Sequence, residues 1–184
     1  PRWIAADLLA QAEHDTLAQA ILVTTEETLI EKVQSELEQQ LAVLPRKEIA
    51  GAAIENTGKI ILVKDLEEAI SIANQIAPEH LELSVSEPFA LLGRVENAGS
   101  VFLGHHTPEV LGDYFAGPNH TLPTEGTARF YSPLSVDDFI KKSSYLYYTE
   151  EAMKEAASAV ELFAETEDLI GHARSMKVRR GEEA

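Results

Sequence analysis

Cysteine is absent from this sequence, which excludes a disulfide framework and any thiolate metal site and fits a reducing compartment. Basic residues are scarce: 15 Lys and Arg stand against 31 Asp and Glu, a formal charge of -16. A chain this acidic lacks the basic face that displaces counterions from nucleic acid, so no nucleic-acid partner is expected. Although 45% of residues are hydrophobic, no apolar run approaches the roughly eighteen residues that span a bilayer, so no membrane partner is expected. There is neither an initiator Met nor a signal peptide; Pro1-Arg2-Trp3 opens directly into an amphipathic helix pattern. That start reads as part of something longer, located in the cytoplasm.

What is present is enough chain for one ordinary domain with a small appendage, 184 residues and 20.2 kDa. Apolar periodicity predicts a helix over Arg2–Glu13 and a buried strand at Ala20–Val23. Thr24 with Glu27 reads as a capping box opening a helix to about Leu44, which Pro45 stops before a short helix over 46–56. A second strand is expected at Lys59–Lys64, then a helix capped by Asp65 with Glu68 and ended by Pro78. Strands at His80–Val85 and Ser100–Leu103 flank a small helix at Pro88–Leu92. Thr107-Pro108 reads as an N-cap followed by Pro at the first helical position, with the helix running to about Tyr114. This alternation predicts a three-layer α/β/α sandwich, an incomplete Rossmann-like globule with a mainly parallel sheet, over residues 1–134. Beyond it, 135–184 reads as a small, mostly helical domain. It comprises a helix at Ser135–Lys142, an extended Tyr145–Tyr148, and a long helix over Glu150–Asp168 interrupted by Gly171 before a basic tail.

Between these parts lies the stretch Leu111–Phe130, with Gly112, Gly117 and Gly126, two prolines, and Asp113, Asn119, His120 and Arg129. Connections in compact domains usually take about two to six residues, and longer ordered loops are where binding and chemistry concentrate. Other constellations are sparse. Gln11 and His14 sit three apart on a polar helix face, within about 5–6 Å of each other, where they can grip a metal or simply be solvated. Glu79-His80 is an acid–base pair if the backbone after Pro78 is irregular, because a regular strand would point the two apart. Asp113 and His120 suit zinc, manganese or cobalt, or are turn residues. Glu167 and His172 would diverge on an unbroken helix, and Gly171 can break it between them. His105-His106 reads as surface.

Three stretches taken together go further: Trp3-Ile4-Ala5-Ala6-Asp7-Leu8-Leu9-Ala10-Gln11-Ala12-Glu13-His14-Asp15, Ala77-Pro78-Glu79-His80-Leu81-Glu82, and Gly112 through Phe130. In this order and spacing they resemble the histidinol dehydrogenase family, from the first residue to about Arg180. The resemblance covers the C-terminal part of the family's chain, somewhat under half of it. It implies zinc- and NAD-dependent oxidation of L-histidinol to L-histidine through histidinal, in histidine biosynthesis. It further implies one Zn2+ per subunit, held by Gln11, His14, Asp113 and His172. By the same resemblance Glu79 is expected to activate water and His80 to act as general base, while His80, Asp113, Glu167 and His172 are expected to contact substrate, with His120 near it. The resemblance also implies that Glu167 and His172 are contributed across a homodimer interface. The resemblance places the NAD contacts upstream of Pro1, and nothing here reads as a glycine-rich dinucleotide turn. The alternative is an inactive α/β module that self-associates and lacks the NAD site.

Overall fold

Short branched runs make the strands, and amphipathic stretches between them make the helices. The computed structural model describes residues 1–181. Its first part runs α1 (Arg2–Ala12), β1 (Ile21–Thr24), α2 (Glu27–Val43), α3 (Lys47–Asn56), β2 (Lys59–Leu62) and α4 (Leu66–Ile76). It continues through β3 (His80–Leu83), α5 (Pro88–Leu92), β4 (Ser100–Leu103) and α6 (Glu109–Tyr114). Single 3-10 turns follow at Thr127–Arg129 and Val136–Phe139, and then α7 (Glu150–Thr166) and α8 (Ile170–Arg179). By contacts the chain divides into Pro1–Ile140 and Lys141–Ala184, where the sequence suggested 134.

The α/β class and the parallel strand direction are as expected, but the four strands form two separate pairs among the described residues. Ile21 stands opposite Lys59 in the first pair, and His80 opposite Ser100 in the second. Each pair closes its own strand–helix–strand unit. Between the units, α4 ends on Ala77 in the left-handed conformation (φ 53°), which redirects the chain before β3 begins. Two cores match the two units. Leu9, Ala12, Ala20, Ala50 and Ala53 pack under the first pair, where alanines let α1 and α3 approach closely. Ile70, Leu83 and Leu91 fill the second, backed by Leu81, Val101 and Leu103.

Several local readings are corrected by non-local competition. Thr24 caps no helix: it is the last residue of β1, paired with Leu62, and its Oγ1 accepts the Glu26 N–H instead. Thr107 does not cap α6 either, because its hydroxyl donates to the Leu103 carbonyl. The helix predicted over 135–142 is a 3-10 turn whose capping box is closed by Ser135 and Asp138. No regular strand forms at Tyr145–Tyr148. Gly171 lies inside α8 rather than breaking a helix; the break falls at Glu167–Leu169, with Asp168 in the left-handed region (φ 59°). The α7–α8 hairpin buries Ala157, Ala164 and Ala173, and Lys177 Nζ pairs with Glu165 Oε1 at 2.6 Å across it.

Asp65 is the cap that performs as the sequence suggests, its Oδ1 accepting the Glu68 N–H at 2.8 Å. The Glu68 carboxylate reaches one residue further back, to the Lys64 N–H. Asp65→Ala is expected to lower unfolding stability by about 1 kcal/mol, read as a lower urea midpoint at unchanged slope. An unaltered midpoint would mean the α4 N-terminus is satisfied by other groups.

Candidate active site

The site is built where β3, β4 and α6 meet. Alternation along β3 turns His80 and Glu82 to one face. Glu82 Oε1 accepts the Glu109 N–H at 2.8 Å, which fastens the first turn of α6 to that face. Helical spacing then sets Glu109 and Asp113 one turn apart on the same side of α6. Helix α6 comes this close because of Gly112, where a Cβ would meet the Phe102 ring at 2.7 Å. Phe102 in turn lies tilted against the His80 ring, 6.0 Å between centroids. Behind them Gly99 allows the chains to touch: its N–H and that of Ser100 donate to the carbonyls of Pro78 and Glu79. A Cβ there would sit 2.6 Å from the Glu79 carbonyl oxygen.

These packings bring nitrogen and oxygen donors together. His80, Glu109 and Asp113 each offer an atom within 4.8 Å of the others, close enough that one divalent ion could be shared among them. His80 Nε2 is buried, has no hydrogen-bond partner, and faces Glu109 Oε1 at 3.7 Å. Glu79 occupies the irregular bend just before β3, which frees it from strand alternation. Both Glu79 and His80 feel the charges of Asp113 and His14, so the four residues share one electrostatic environment. Burial pushes the Glu79 carboxyl up and the Asp113 charge adds to this, while His14 opposes it. Burial also holds the His80 imidazole below its ordinary value, against the pull of Asp113. Glu109 is pushed up to about 7 by burial, by a hydrogen bond with Asp113, and by the charges of Asp113, Glu82 and Glu79.

Gln11 lies in the last turn of α1 and His14 just beyond it, with the His14 carbonyl accepting from Arg46. His120 is exposed in the long loop, beside an Asn119 side chain that accepts the Thr121 N–H. Glu167 ends α7 and His172 lies in α8, both exposed and in the second compact unit. His105 and His106 are at the surface as expected, the first near Ser84 Oγ (3.0 Å) and the second against Trp3. Glu109 went unread in the sequence. Its spacing of four from Asp113 was the available signal. A separate open depression of about 960 Å³, lined by Ser71, Asn74, Asn97 and Arg129 among others, includes none of these residues.

Partly buried titratable residues gathered on parallel strands describe a candidate active site, and the comparisons give the family of the chain that carries it. The sequence profile of the histidinol dehydrogenase family matches residues 1–180, and the chain belongs to that family. It is 58% identical over 179 residues to the histidinol dehydrogenase of Caldanaerobacter subterraneus subsp. tengcongensis, covering 97% of this chain and 42% of the relative. To that of Clostridium acetobutylicum it is 59% identical over 179 residues, with the same coverage, 97% and 42%. The crystal structure of histidinol dehydrogenase from Elizabethkingia anophelis superposes with a TM-score of 0.90 at 41% identity, over 98% of this chain and 42% of that one. The chain thus spans about two-fifths of the length of these relatives.

The raised Glu109 carboxyl makes a prediction whose sign is definite. Between the ordinary 4.5 and about 7, folded Glu109 holds a proton that the unfolded chain has released. Its contribution to stability is full below that window and is lost as the pH rises through it. Glu79, Glu82 and Asp7, also raised by burial, act in the same direction. Chelator-treated protein should therefore show a urea midpoint that falls across this window, and Glu109→Gln should flatten the fall. Equal slopes in the two proteins would exclude Glu109 as a cause.

Proposed function

We propose that this chain supplies the metal-binding and acid–base side chains of a histidinol dehydrogenase oxidising L-histidinol to L-histidine through histidinal. The observation that carries this reading is the shared environment of Glu79, His80, His14 and Asp113 in a chain of that family. Burial keeps His80 neutral near pH 7, the state in which an imidazole takes a proton from a reacting alcohol. Glu79, made more basic by burial, takes a proton from the water that adds to the aldehyde. The nitrogen and oxygen donors of that set suit Zn2+, and Asp113, the member that α6 carries, stands within 4.8 Å of His80 and Glu109 in a pocket of partly buried donors. On this reading Gln11, His14 and Asp113 hold the ion with His172 of a second copy, and it serves to anchor the substrate's imidazole and amine.

NAD fits the described residues less well. Among them no glycine-rich strand-to-helix turn cradles a pyrophosphate, so we assign the hydride acceptor to residues outside this stretch. A homodimer that delivers Glu167 and His172 is favoured by the apolar surface of the second unit, where Tyr145 is 95% exposed, Tyr147 85% and Phe163 70%. The same surface favours the competing reading, an inactive module that only self-associates. No described helix is long and apolar enough to cross a membrane. We place the protein in the cytoplasm, a reducing compartment that a cysteine-free sequence fits.

A graft separates the two readings. Residues 1–180, set into the Clostridium acetobutylicum enzyme in place of its matching segment, should give a protein that oxidises histidinol. Glu79→Gln or His80→Asn in that graft should lower turnover by roughly 10²–10⁴-fold at unchanged zinc content. The 184-residue chain alone, given histidinol, NAD and zinc, should form no NADH. A folded graft without turnover would leave only the inactive module, and turnover by the chain alone would put the dinucleotide site within it.

A further inference from the structure

We propose that Glu109 is the positioning residue for His80, its carboxyl oxygen accepting the His80 Nε2–H and leaving Nδ1 as the ring's proton acceptor. This rests on His80 being the base of the proposed reaction. The ring is confined on one side by Phe102 and faces Glu109 Oε1 on another, 3.7 Å from a buried Nε2 that has no other partner. A buried donor left unpaired costs about 1–3 kcal/mol, so closure of that gap by less than an ångström is favoured. Glu109 is held in place for it independently of its own side chain. Its backbone N–H is fixed by Glu82, which stands two residues from His80 on the same strand face. Ring and carboxyl are thus referenced to one strand.

The consequence is chemical. An imidazole hydrogen-bonded through one nitrogen to a carboxyl oxygen is fixed in tautomer and in rotation, and once that carboxyl is ionised the other nitrogen becomes a better base. Glu109 also shares a hydrogen bond with Asp113, so one side chain links the proposed base to a proposed metal ligand. Substituting its side chain leaves the Glu82 anchor intact, since that bond uses the main chain.

The test is ¹⁵N NMR of the histidine rings in the chelator-treated chain, recorded above the window in which Glu109 holds its proton, which closes at about 7, with His80 assigned by the signal lost in His80→Asn. Wild type should show a single Nε2–H tautomer. Glu109→Gln, which keeps an acceptor oxygen but not the charge, should keep the tautomer while Nε2–H exchange quickens roughly tenfold. Glu109→Leu should populate both tautomers. An Nδ1–H wild type, or spectra unchanged in both folded variants, overturns the proposal. The graft distinguishes this from the reaction itself. There Glu109→Gln should lower kcat about 10–100-fold at unchanged KM, and ring spectra that respond while kcat does not would overturn His80 as base but not its positioning by Glu109.

Discussion

One hydrogen bond, from the Glu109 N–H to Glu82 Oε1, is the contact on which the candidate site depends. Helix α6 is six residues long, far too short to persist on its own propensity, and no side chain caps it locally. Pro108 offers no N–H and no hydroxyl, and Thr107 is occupied with Leu103. A carboxylate from β3 takes the cap's place, adding negative charge where the helix dipole favours it. Burial nevertheless outweighs the bond, since the Glu82 carboxyl stays above its ordinary value. The tie costs desolvation, and what it secures is the position of Glu109 and Asp113 relative to His80.

The same region gathers carboxyls that a fold selected for stability alone would keep apart. Asp7, Glu79, Glu82 and Glu109 all bind protons more tightly than usual, with burial the leading cause for each. Like charges brought together out of water raise one another's proton affinity and store unfavourable energy. Such crowding is tolerated where a cation or a transferred proton gives it a use. The glycines make the crowding geometrically possible: without Gly112 the helix could not lie on Phe102, and without Gly99 the chain carrying Glu79 would be pushed off β4.

Much of this was legible in the sequence, wherever local signals decide. Strand β4 and helix α5 fall where patterning put them, because a four-residue apolar run and a Pro-led turn have few alternatives. The Asp65 cap is local, and it was read. The caps at Thr24 and Thr107 were misread because the backbone ladder holds Thr24 in β1, its hydroxyl taking the Glu26 N–H, and because the Thr107 hydroxyl donates to a carbonyl four residues back. The true cap of α6 comes from a residue 27 positions earlier, a separation no local pattern reveals. Pairing of the four strands two by two was hidden for the same reason: strand sequences state an appetite for partners, not which partners. At the site, Glu79-His80 stood out as adjacent titratable residues after a proline, and the backbone is irregular at Glu79. Glu109 escaped because a glutamate in a first helical turn has an ordinary explanation as a dipole partner.

The long loop that the sequence singled out is anchored unevenly. Its later part is tied down: Arg129 donates to the carbonyls of Gly126 and Gln75, the latter at the C-terminal end of α4 and four residues before Glu79. Pro123 lies against Gly99, and the Leu134 N–H closes on the Thr121 carbonyl at 3.0 Å. Its earlier part, from Phe115 to His120, is exposed; the Phe115 and Ala116 N–H groups donate to the Leu111 carbonyl, and the Asn119 side chain accepts the Thr121 N–H. The guanidinium satisfies carbonyls that a helix end leaves open, so the cost of ordering the loop is offset at the point where α4 hands the chain to Glu79 and His80. Asp113 stands before the exposed part and Arg129 after it. A ligand contacting residues 115–120 would therefore act on a segment whose two ends are already tied close to Glu79 and His80, one through α6 and Glu82, the other through Arg129 and α4.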